Sequence, residues 1–558
     1  MDWLQRLFAP IEGFLTNLES KITPSEGLMK FLGDIDSWVW GNFLAFILVG
    51  TGIFIAWKFR FVQLRKLGHA INLVRGKYDD PKDEGDISHF QALATALSAT
   101  IGTGNIAGVA TAIAAGGPGA IFWMWVTGLL GSGLKFTSCT LGMKYREFDE
   151  DGNAAGGPMY YLEHGLGIRW FGSLIKLAVI VSSFFLGRWL LGFFATEMSI
   201  WLRAILHALI MIAVVGTFWW FSKLWTRWTA PTAARLAPTL ERLRFHKWMA
   251  VTFALFAAIA SFGIGNMIQA NSMALPLEES LHIPRVASGI IFAILAGMVI
   301  IGGIRRIGKV TSKLTPIMSV IYVVGAAFIL IKNASLVPDA FQLIFYHAFN
   351  PTAAAGGFMG STVAFAIQHG VARGVFSNES GLGSAPIAHA AAKTKEPVRE
   401  GLVAMVGPFV DTLLICTMTA LVILISGAWT QVDAATGAQL DSTLLSKTAF
   451  EMGLPGYGGH IVSVAIVLFT FSTIIGWSYY GDRSVDYLFG HRGIKVYRWI
   501  YILLIPLGAA MKVKLMWTIA DITNGLMAFP NLVALIFLSP VVAKMTKDYF
   551  SREQRPLR

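Results

Sequence analysis

Cysteine, charge and enzyme signatures are all scarce in this chain. Its 558 residues include only two cysteines, Cys139 and Cys416, and both lie inside apolar runs, which argues against a disulfide framework or a zinc site. Charged residues form 14% of the chain, against about 25% in soluble globular proteins. Metalloprotease, phosphate-loop and nucleophile-elbow motifs are absent from the sequence. We therefore expect neither a catalytic centre nor an organic cofactor.

Long apolar runs are what the chain has instead. Hydrophobic residues form 55% of it, and the mean hydropathy is +0.59. A helix needs about 20 apolar residues to cross a bilayer core. We predict thirteen spans, at 40–57, 90–115, 120–143, 171–185, 203–221, 248–274, 286–304, 310–331, 356–377, 401–427, 460–480, 499–511 and 515–544. The predicted fold class is an all-α polytopic membrane protein.

The positive charge is distributed in a way that indicates topology. The net charge of +12 could suggest a nucleic-acid partner, but Lys and Arg lie in short loops between apolar runs. Of the 45 Lys and Arg residues, 32 fall in loops that thirteen spans place on one side. The positive-inside rule then predicts a cytoplasmic carboxyl terminus and an external amino terminus. We expect a multi-pass cell-membrane protein, embedded in the lipid bilayer, with no nucleic-acid partner and no obligate protein partner.

The span at 90–115 is interrupted by Ile101-Gly-Thr-Gly-Asn105. Broken helices are tolerated in a membrane only where the freed backbone groups are buried in protein or line a cavity. A half-helix that starts near Asn105 would direct free N–H groups at an anion such as a carboxylate, while the preceding half-helix would offer carbonyl oxygens to a cation. Such interruptions are typical of transporter sites. Simple helix packing through Gly104 and Gly108 remains an equal alternative.

Three further places combine polar and apolar residues within spans. Gln368 lies in a glycine-rich run, Gly356–Gly383, and is a candidate substrate contact, although polar groups there could also simply pair with each other. Phe262 shares a helical face with polar residues and could cover a substrate, with ordinary packing as the alternative. Ser472 and Thr473 could offer oxygens to a hard cation such as sodium, or could bond the preceding turn of their own helix.

Four sequence blocks resemble one known family. The stretches 102–110 (GTGNIAGVA), 116–126 (GGPGAIFWMWV), 261–271 (SFGIGNMIQAN) and 370–389 (GVARGVFSNESGLGSAPIAH) resemble the alanine/glycine:cation symporters, also called sodium:alanine symporters. The resemblance covers about 40–168 and 247–545. It implies a leucine-transporter-like fold, in which two inverted repeats of five helices operate by alternating access. An extra N-terminal span and a two-span insertion would complete the thirteen.

The resemblance also implies roles for particular residues. Those expected to bind substrate are Thr103, Gly104, Asn105, Phe262 and Gln368. Those expected to bind a coupling sodium ion are Thr100, Gly102, Ser472 and Thr473. The function implied is sodium-coupled uptake of alanine, glycine or a similarly small amino acid. Proton coupling is one alternative, and an integral-membrane enzyme is another.

These predictions divide the chain into five segments. Residues 1–39 form an amphipathic segment at the membrane interface. Residues 40–168 and 247–545 form the two parts of the transporter domain. Residues 169–246 form the insertion with a basic cytoplasmic loop, and 546–558 form a basic cytoplasmic tail.

Overall fold

The computed structural model describes residues 2–22, 24–149, 151–166, 245–353, 358, 360–433, 436–511 and 514–554. This part of the chain is mostly helical, as its apolar runs predict. The α-helices are α1 (Asp2–Ile22), α2 (Glu26–Val39), α3 (Asn42–Lys58), α4 (Val62–Arg65), α5 (Leu67–Val74), α6 (His89–Thr100), α7 (Val109–Gly116), α8 (Ala120–Lys144), α9 (Pro158–Gly165), α10 (Phe245–Phe262), α11 (Ile268–Leu281), α12 (Arg285–Ile300), α13 (Gly303–Lys332), α14 (Val337–His347), α15 (Val363–Asn378), α16 (Ala385–His389), α17 (Pro397–Ala404), α18 (Thr417–Ser426), α19 (Ser442–Gly453), α20 (Gly458–Phe489), α21 (His491–Ala510), α22 (Lys514–Leu526) and α23 (Ala528–Ser551).

Shorter elements connect or interrupt these helices. Three segments are π-helical, at Gly104–Gly108, Gly263–Met267 and Phe409–Cys416, and two are 3₁₀-helical, at Ala334–Leu336 and Ala428–Thr430. The strands β1 (Glu147–Phe148) and β2 (Ala154–Ala155) pair antiparallel in the loop after α8. Each π segment adjoins or lies between α-helices, so it shifts the faces that the following turns present.

The chain divides into two units. One comprises residues 1–162 and 250–558, and the other comprises residues 163–249. The second unit is described only at 163–166 and 245–249, where Lys247 forms an ion pair with Glu163 at 3.2 Å. The predicted spans 171–185 and 203–221 lie outside the described residues. The cavities and the candidate site residues lie in the first unit.

Seven helices in the described residues are long and apolar enough to cross a membrane, and the bent pair α6–α7 makes eight. The seven are Glu26–Lys58, His246–Leu281, Gly303–Lys332, Pro397–Ser426, Gly458–Phe489, His491–Ala510 and Lys514–Ser551. The all-α polytopic class is therefore confirmed. The count of thirteen spans stays a prediction, as does the five-plus-five repeat.

The glycine-rich run is broken after its helix rather than within it. α15 ends at Asn378, and Glu379 follows in the left-handed region with φ of +54°. Gly381 and Gly383 also have positive φ, of +88° and +94°, before α16 begins. A Cβ on Gly383 would lie 2.8 Å from Cε2 of Phe253, so this turn needs glycine for both its conformation and its close contact. The second break thus lies at 379–384.

α8 is the helix against which the second break packs. It packs on α15, α16 and α17, and small residues allow the approach. A Cβ on Gly131 would lie 2.5 Å from Ser380 Cβ, and one on Gly142 would lie 2.8 Å from Pro386 Cβ. The glycines of α8 therefore bring the turn after α15 close to the centre of the bundle.

Candidate functional site

The first break lies between α6 and the π segment Gly104–Gly108, where the helix bends by 57°. Ile101 ends α6 in an extended conformation, with ψ of 94°. Gly102 passes very close to α20, because a Cβ there would lie 2.7 Å from Thr473 Oγ1. The predicted interruption of this helix is therefore confirmed, and close contact with α20 accounts for a glycine at its centre.

Asn105 holds the break in place. Its Oδ1 accepts a hydrogen bond from the Gly102 backbone N–H at 3.0 Å, and its Nδ2 donates to Asp411 Oδ1 at 2.7 Å and to Asp411 O at 3.3 Å. Ser377 Oγ and Thr412 Oγ1 donate to Asp411 Oδ2 at 2.9 and 2.8 Å. Asn105 is fully buried, and both sides of its amide are occupied within the protein. It therefore positions the broken backbone from behind.

A small cavity of about 20 Å³ lies at the break. That is room for about one water-sized group. Its lining residues are Ala99, Thr100, Gly102, Thr103, Gly104, Ile264, Gln269, Phe376, Glu379, Thr473, Trp477 and Asn524. We call this space the inner cavity. Five of the residues that the resemblance singled out line it: Thr100, Gly102, Thr103, Gly104 and Thr473.

Gln269 lines the inner cavity but is not among the residues predicted from the sequence to bind substrate. Its Nε2 donates to Ile264 O at 3.1 Å and to Thr103 Oγ1 at 3.4 Å. Its Oε1 is buried and has no hydrogen-bond partner within the described residues. A Cβ on Gly102 would lie 3.4 Å from that oxygen, so the unpaired acceptor is at the break itself. An unpaired buried acceptor costs free energy unless a ligand or water donates to it.

The π segment Gly263–Met267 explains why Phe262 and Gln269 separate. At ordinary α-helical spacing the two residues share a face, which is how Phe262 became a candidate. A π turn is wider than an α turn and rotates everything after it. Phe262 consequently packs on Tyr497 and Tyr501, with ring centroids 5.1 and 6.1 Å apart, and does not line the inner cavity.

Gln368 lies in a second cavity, of about 130 Å³, which we call the outer cavity. Its lining residues are Asp36, Ser37, Trp40, Gln368, His369, Ala372, Arg373, Phe376 and Asp521. Phe376 lines both cavities, and its ring packs edge-on against Trp40 at 6.4 Å between centroids. Gln368 is therefore brought to a neighbouring space rather than to the helix break.

The hydroxyl groups of Ser472 and Thr473 connect α20 to the broken helix. Ser472 Oγ donates to Ser98 O at 3.2 Å, and Thr473 Oγ1 donates to Ile101 O at 3.3 Å. Both also bond Phe469 O in their own helix, at 3.0 and 2.9 Å. Both hydroxyls therefore make the hydrogen bond within their own helix. Each also lies next to a carbonyl oxygen at the end of α6, and binding of sodium there stays a prediction. Thr100 Oγ1 donates to Leu97 O at 3.2 Å.

Buried charge surrounds the break. Glu379 lines the inner cavity and accepts a hydrogen bond from Ser384 Oγ, while Asp411 lies behind Asn105. Lys135 of α8 is 3% exposed and interacts electrostatically with both carboxylates. Two carboxylates and one ammonium group are therefore buried together beside the break.

Comparison with known proteins decides the family. A model of the sodium:alanine symporter family matches residues 25–220 and 239–557. The chain belongs to this family. Family membership confirms the resemblance seen in the four sequence blocks and assigns the protein to a group of transporters. Between its two parts the match leaves out 221–238, a shorter stretch than the insertion predicted at 169–246.

Individual relatives cover nearly the whole chain. An uncharacterized transporter of Haemophilus influenzae is 43% identical over 525 residues, which is 94% of this chain and 96% of that protein. A sodium/alanine symporter of Methanococcus maripaludis is 40% identical, over 93% of this chain and 97% of its own. A probable sodium/glutamine symporter of Bacillus subtilis is 32% identical, over 94% of this chain and 91% of its own. The similarity therefore extends over nearly the full length of each protein, and the names of the last two give different substrates.

Replacing Asn105 with alanine should destabilise the protein. Asn105→Ala leaves the Gly102 N–H and Asp411 Oδ1 without their partner, and each buried orphan costs about 1–3 kcal/mol. We expect a clearly lower midpoint of thermal unfolding in detergent, followed by fluorescence-detected size-exclusion chromatography. Asn350→Ala is the matched control, because Asn350 is exposed and its Nδ2 donates only to Tyr346 O four residues earlier. Equal midpoints for the two variants would contradict the positioning role.

Proposed function

We propose that this protein is a secondary active transporter that couples inward sodium flow to uptake of alanine, glycine or a similarly small amino acid. The observation that carries the proposal is the inner cavity. At this cavity the beginning of the second half of the broken helix lies beside α20, whose hydroxyls are hydrogen-bonded to the first half. Membership of the sodium:alanine symporter family supports it. Two relatives are named for alanine and for glutamine, so the substrate must be argued from the cavity itself.

Thr103 and Gly104 are the proposed carboxylate contacts. They open the π segment and line the inner cavity. The first turn of a helix has backbone N–H groups without partners in that helix, and its positive dipole end favours an anion. A Cβ on Gly104 would lie 3.0 Å from Ser377 Cα, so a larger residue would push α15 away from the site. Asn105 supports these residues from behind.

The walls of the inner cavity favour a small side chain. Trp477, Phe376 and Ile264 are among its lining residues, and at about 20 Å³ it has to widen to take an amino acid, and has to widen least for one with a small side chain. Gln269 Oε1, the buried acceptor without a partner, suits the ammonium group of an amino acid. We accordingly add Gln269 to the substrate site, and place Phe262 and Gln368 outside the inner cavity.

The proposed sodium site uses oxygens of α20 and of the end of α6. Ser472 and Thr473 supply hydroxyls, and the backbone near Thr100 and Gly102 supplies carbonyls. Hard cations prefer oxygen ligands of this kind. If Glu379 and Asp411 are ionised, the two carboxylates outweigh the Lys135 ammonium and favour a cation at this depth. Proton coupling is the alternative that the first experiment below separates, and among the described residues no site favours an enzymatic role.

The proposal extends to the architecture. The breaks at 101–103 and 379–384 border the same inner cavity, through Gly102 and Glu379. Corresponding broken helices around one central site are typical of inverted-repeat transporters that work by alternating access. We therefore propose a leucine-transporter-like core of five-plus-five helices, with an insertion at 169–246. We also propose that the protein resides in the cell membrane, with an external amino terminus and a cytoplasmic carboxyl terminus.

Purified protein in proteoliposomes should accumulate labelled alanine when sodium is imposed as an inward gradient. A matched potassium gradient should give no accumulation, because sodium is the proposed coupling ion. Accumulation driven by an inward proton gradient without sodium would replace sodium coupling by proton coupling. If neither gradient drives alanine or glycine uptake while glutamine is taken up, the argument from cavity size is wrong.

Removing the two α20 hydroxyls should weaken sodium coupling. Ser472→Ala with Thr473→Val should raise the sodium concentration for half-maximal uptake by roughly tenfold or more, about 1.4 kcal/mol in binding free energy. Ser463→Ala with Thr470→Val is the control, since these hydroxyls bond only carbonyls of their own helix. An unchanged sodium requirement in the first variant, or an equal rise in both, would refute the assignment.

The roles of the two cavities can be compared through their glutamines. Gln269→Leu removes the acceptor in the inner cavity and should raise the KM for alanine by about tenfold or more, on the scale of one hydrogen bond to a charged group. Gln368→Leu alters only the outer cavity and should change KM by much less. Uptake kinetics in the same vesicles measure both. The reverse order of effects would move the substrate to the outer cavity.

A further inference from the structure

A pocket rich in positive charge lies where the last turns of α3 and α23 meet. It has a volume of about 470 Å³, and its charged lining residues are Lys58, Arg60, Arg65, Lys66 and Lys547. We call it the basic pocket. No acidic side chain lines it within the described residues, and none of the five cations forms an ion pair there. Like charges this close repel each other, so the pocket is suited to an anion.

The backbone that builds the basic pocket is strained. Arg60 and Phe61 are consecutive non-glycine residues in the left-handed region, with φ of +51° and +53°. Such conformations cost about 1–3 kcal/mol each and persist where the surroundings hold them, often at functional positions. The turn folds the chain back after α3, so that Lys58 and the helix α4 border the same space. The strain thus brings the cations together.

Apolar surface adjoins the charged lining. Trp57 is 78% exposed, Leu64 is 52% exposed and Phe61 is 43% exposed. The apolar candidate span Glu26–Lys58 ends at this point, and exposed Trp at the end of a span is typical of the membrane–water boundary. Phe550 also lines the pocket and lies under the Lys66 ammonium at 4.3 Å. A ligand here would meet cations at one end and lipid-facing apolar side chains at the other.

We propose that the basic pocket binds the phosphate headgroup of an anionic phospholipid. The charge matches a phosphate, the position matches the headgroup layer, and the exposed apolar residues match acyl chains. Basic pockets between membrane helices are known to hold such headgroups. A bound lipid would connect the end of α3 with the end of α23, two helices that already pack on each other and on α8. Lipid binding should therefore stabilise the fold.

Thermal unfolding of the full chain in a non-ionic detergent tests this proposal. Added phosphatidylglycerol should raise the unfolding midpoint by several degrees relative to phosphatidylcholine. The variant Arg60→Gln/Arg65→Gln/Lys547→Gln should lose this rise. The control Lys309→Gln/Lys313→Gln/Lys495→Gln removes the same charge from exposed side chains outside the pocket and should keep it.

Several results would overturn the proposal. One is an equal rise with phosphatidylglycerol in the pocket variant and the unmodified protein, and another is an equal loss in the control variant, which would indicate unspecific attraction. A full rise with soluble glycerol phosphate would indicate a free-anion site without lipid contact. If the triple variant does not fold, Arg65→Gln/Lys547→Gln is measured by native mass spectrometry, where fewer retained phosphatidylglycerol molecules than in the control support the lipid site and an equal number refutes it.

Discussion

The hydrogen bonds of one asparagine side chain support the break on which the site depends. A helix interrupted in an apolar environment frees backbone groups that cannot find water. Asn105 replaces the missing partner of the Gly102 N–H, and Asp411 anchors Asn105 in turn. Ser377 and Thr412 then fix the Asp411 carboxylate. The geometry of the break is therefore transmitted to α15 and to the π segment Phe409–Cys416 before any ligand is present.

The three π segments form a second common feature of the site. Gly104 begins the first, Ile264 lies in the second, and both line the inner cavity, whereas Asp411 of the third lies directly behind it. A π turn has one more residue per hydrogen-bonded ring than an α turn, so it offers polar groups and re-aims side chains without ending the helix. The site is thus built where locally widened helical turns adjoin the two breaks.

The break in the first helix could be predicted because the unusual residues, glycine and asparagine, are visible inside an apolar run. Ser472 and Thr473 were singled out because polar groups are rare in such runs, and the structure places them against the broken helix, whereas their role as sodium ligands stays a prediction. Gln269 was missed although it lies in a recognised block. Its face depends on the π segment Gly263–Met267, and no regular spacing rule anticipates an extra residue in a turn.

Gln368 illustrates a different limit. Gln368, Ala372 and Phe376 recur every fourth residue on α15, and all three line the outer cavity, so one face of the helix borders this cavity. Gln368 and Phe376 differ in their position along the helix axis. They are eight residues apart, which at 1.5 Å per residue is about 12 Å. Only Phe376 reaches the inner cavity, because α15 ends two residues later and the turn at Glu379 points back towards the first break. The spacing of residues in a helix predicts which face of the helix a side chain occupies. How close that side chain lies to a site along the helix axis depends on where the helix ends.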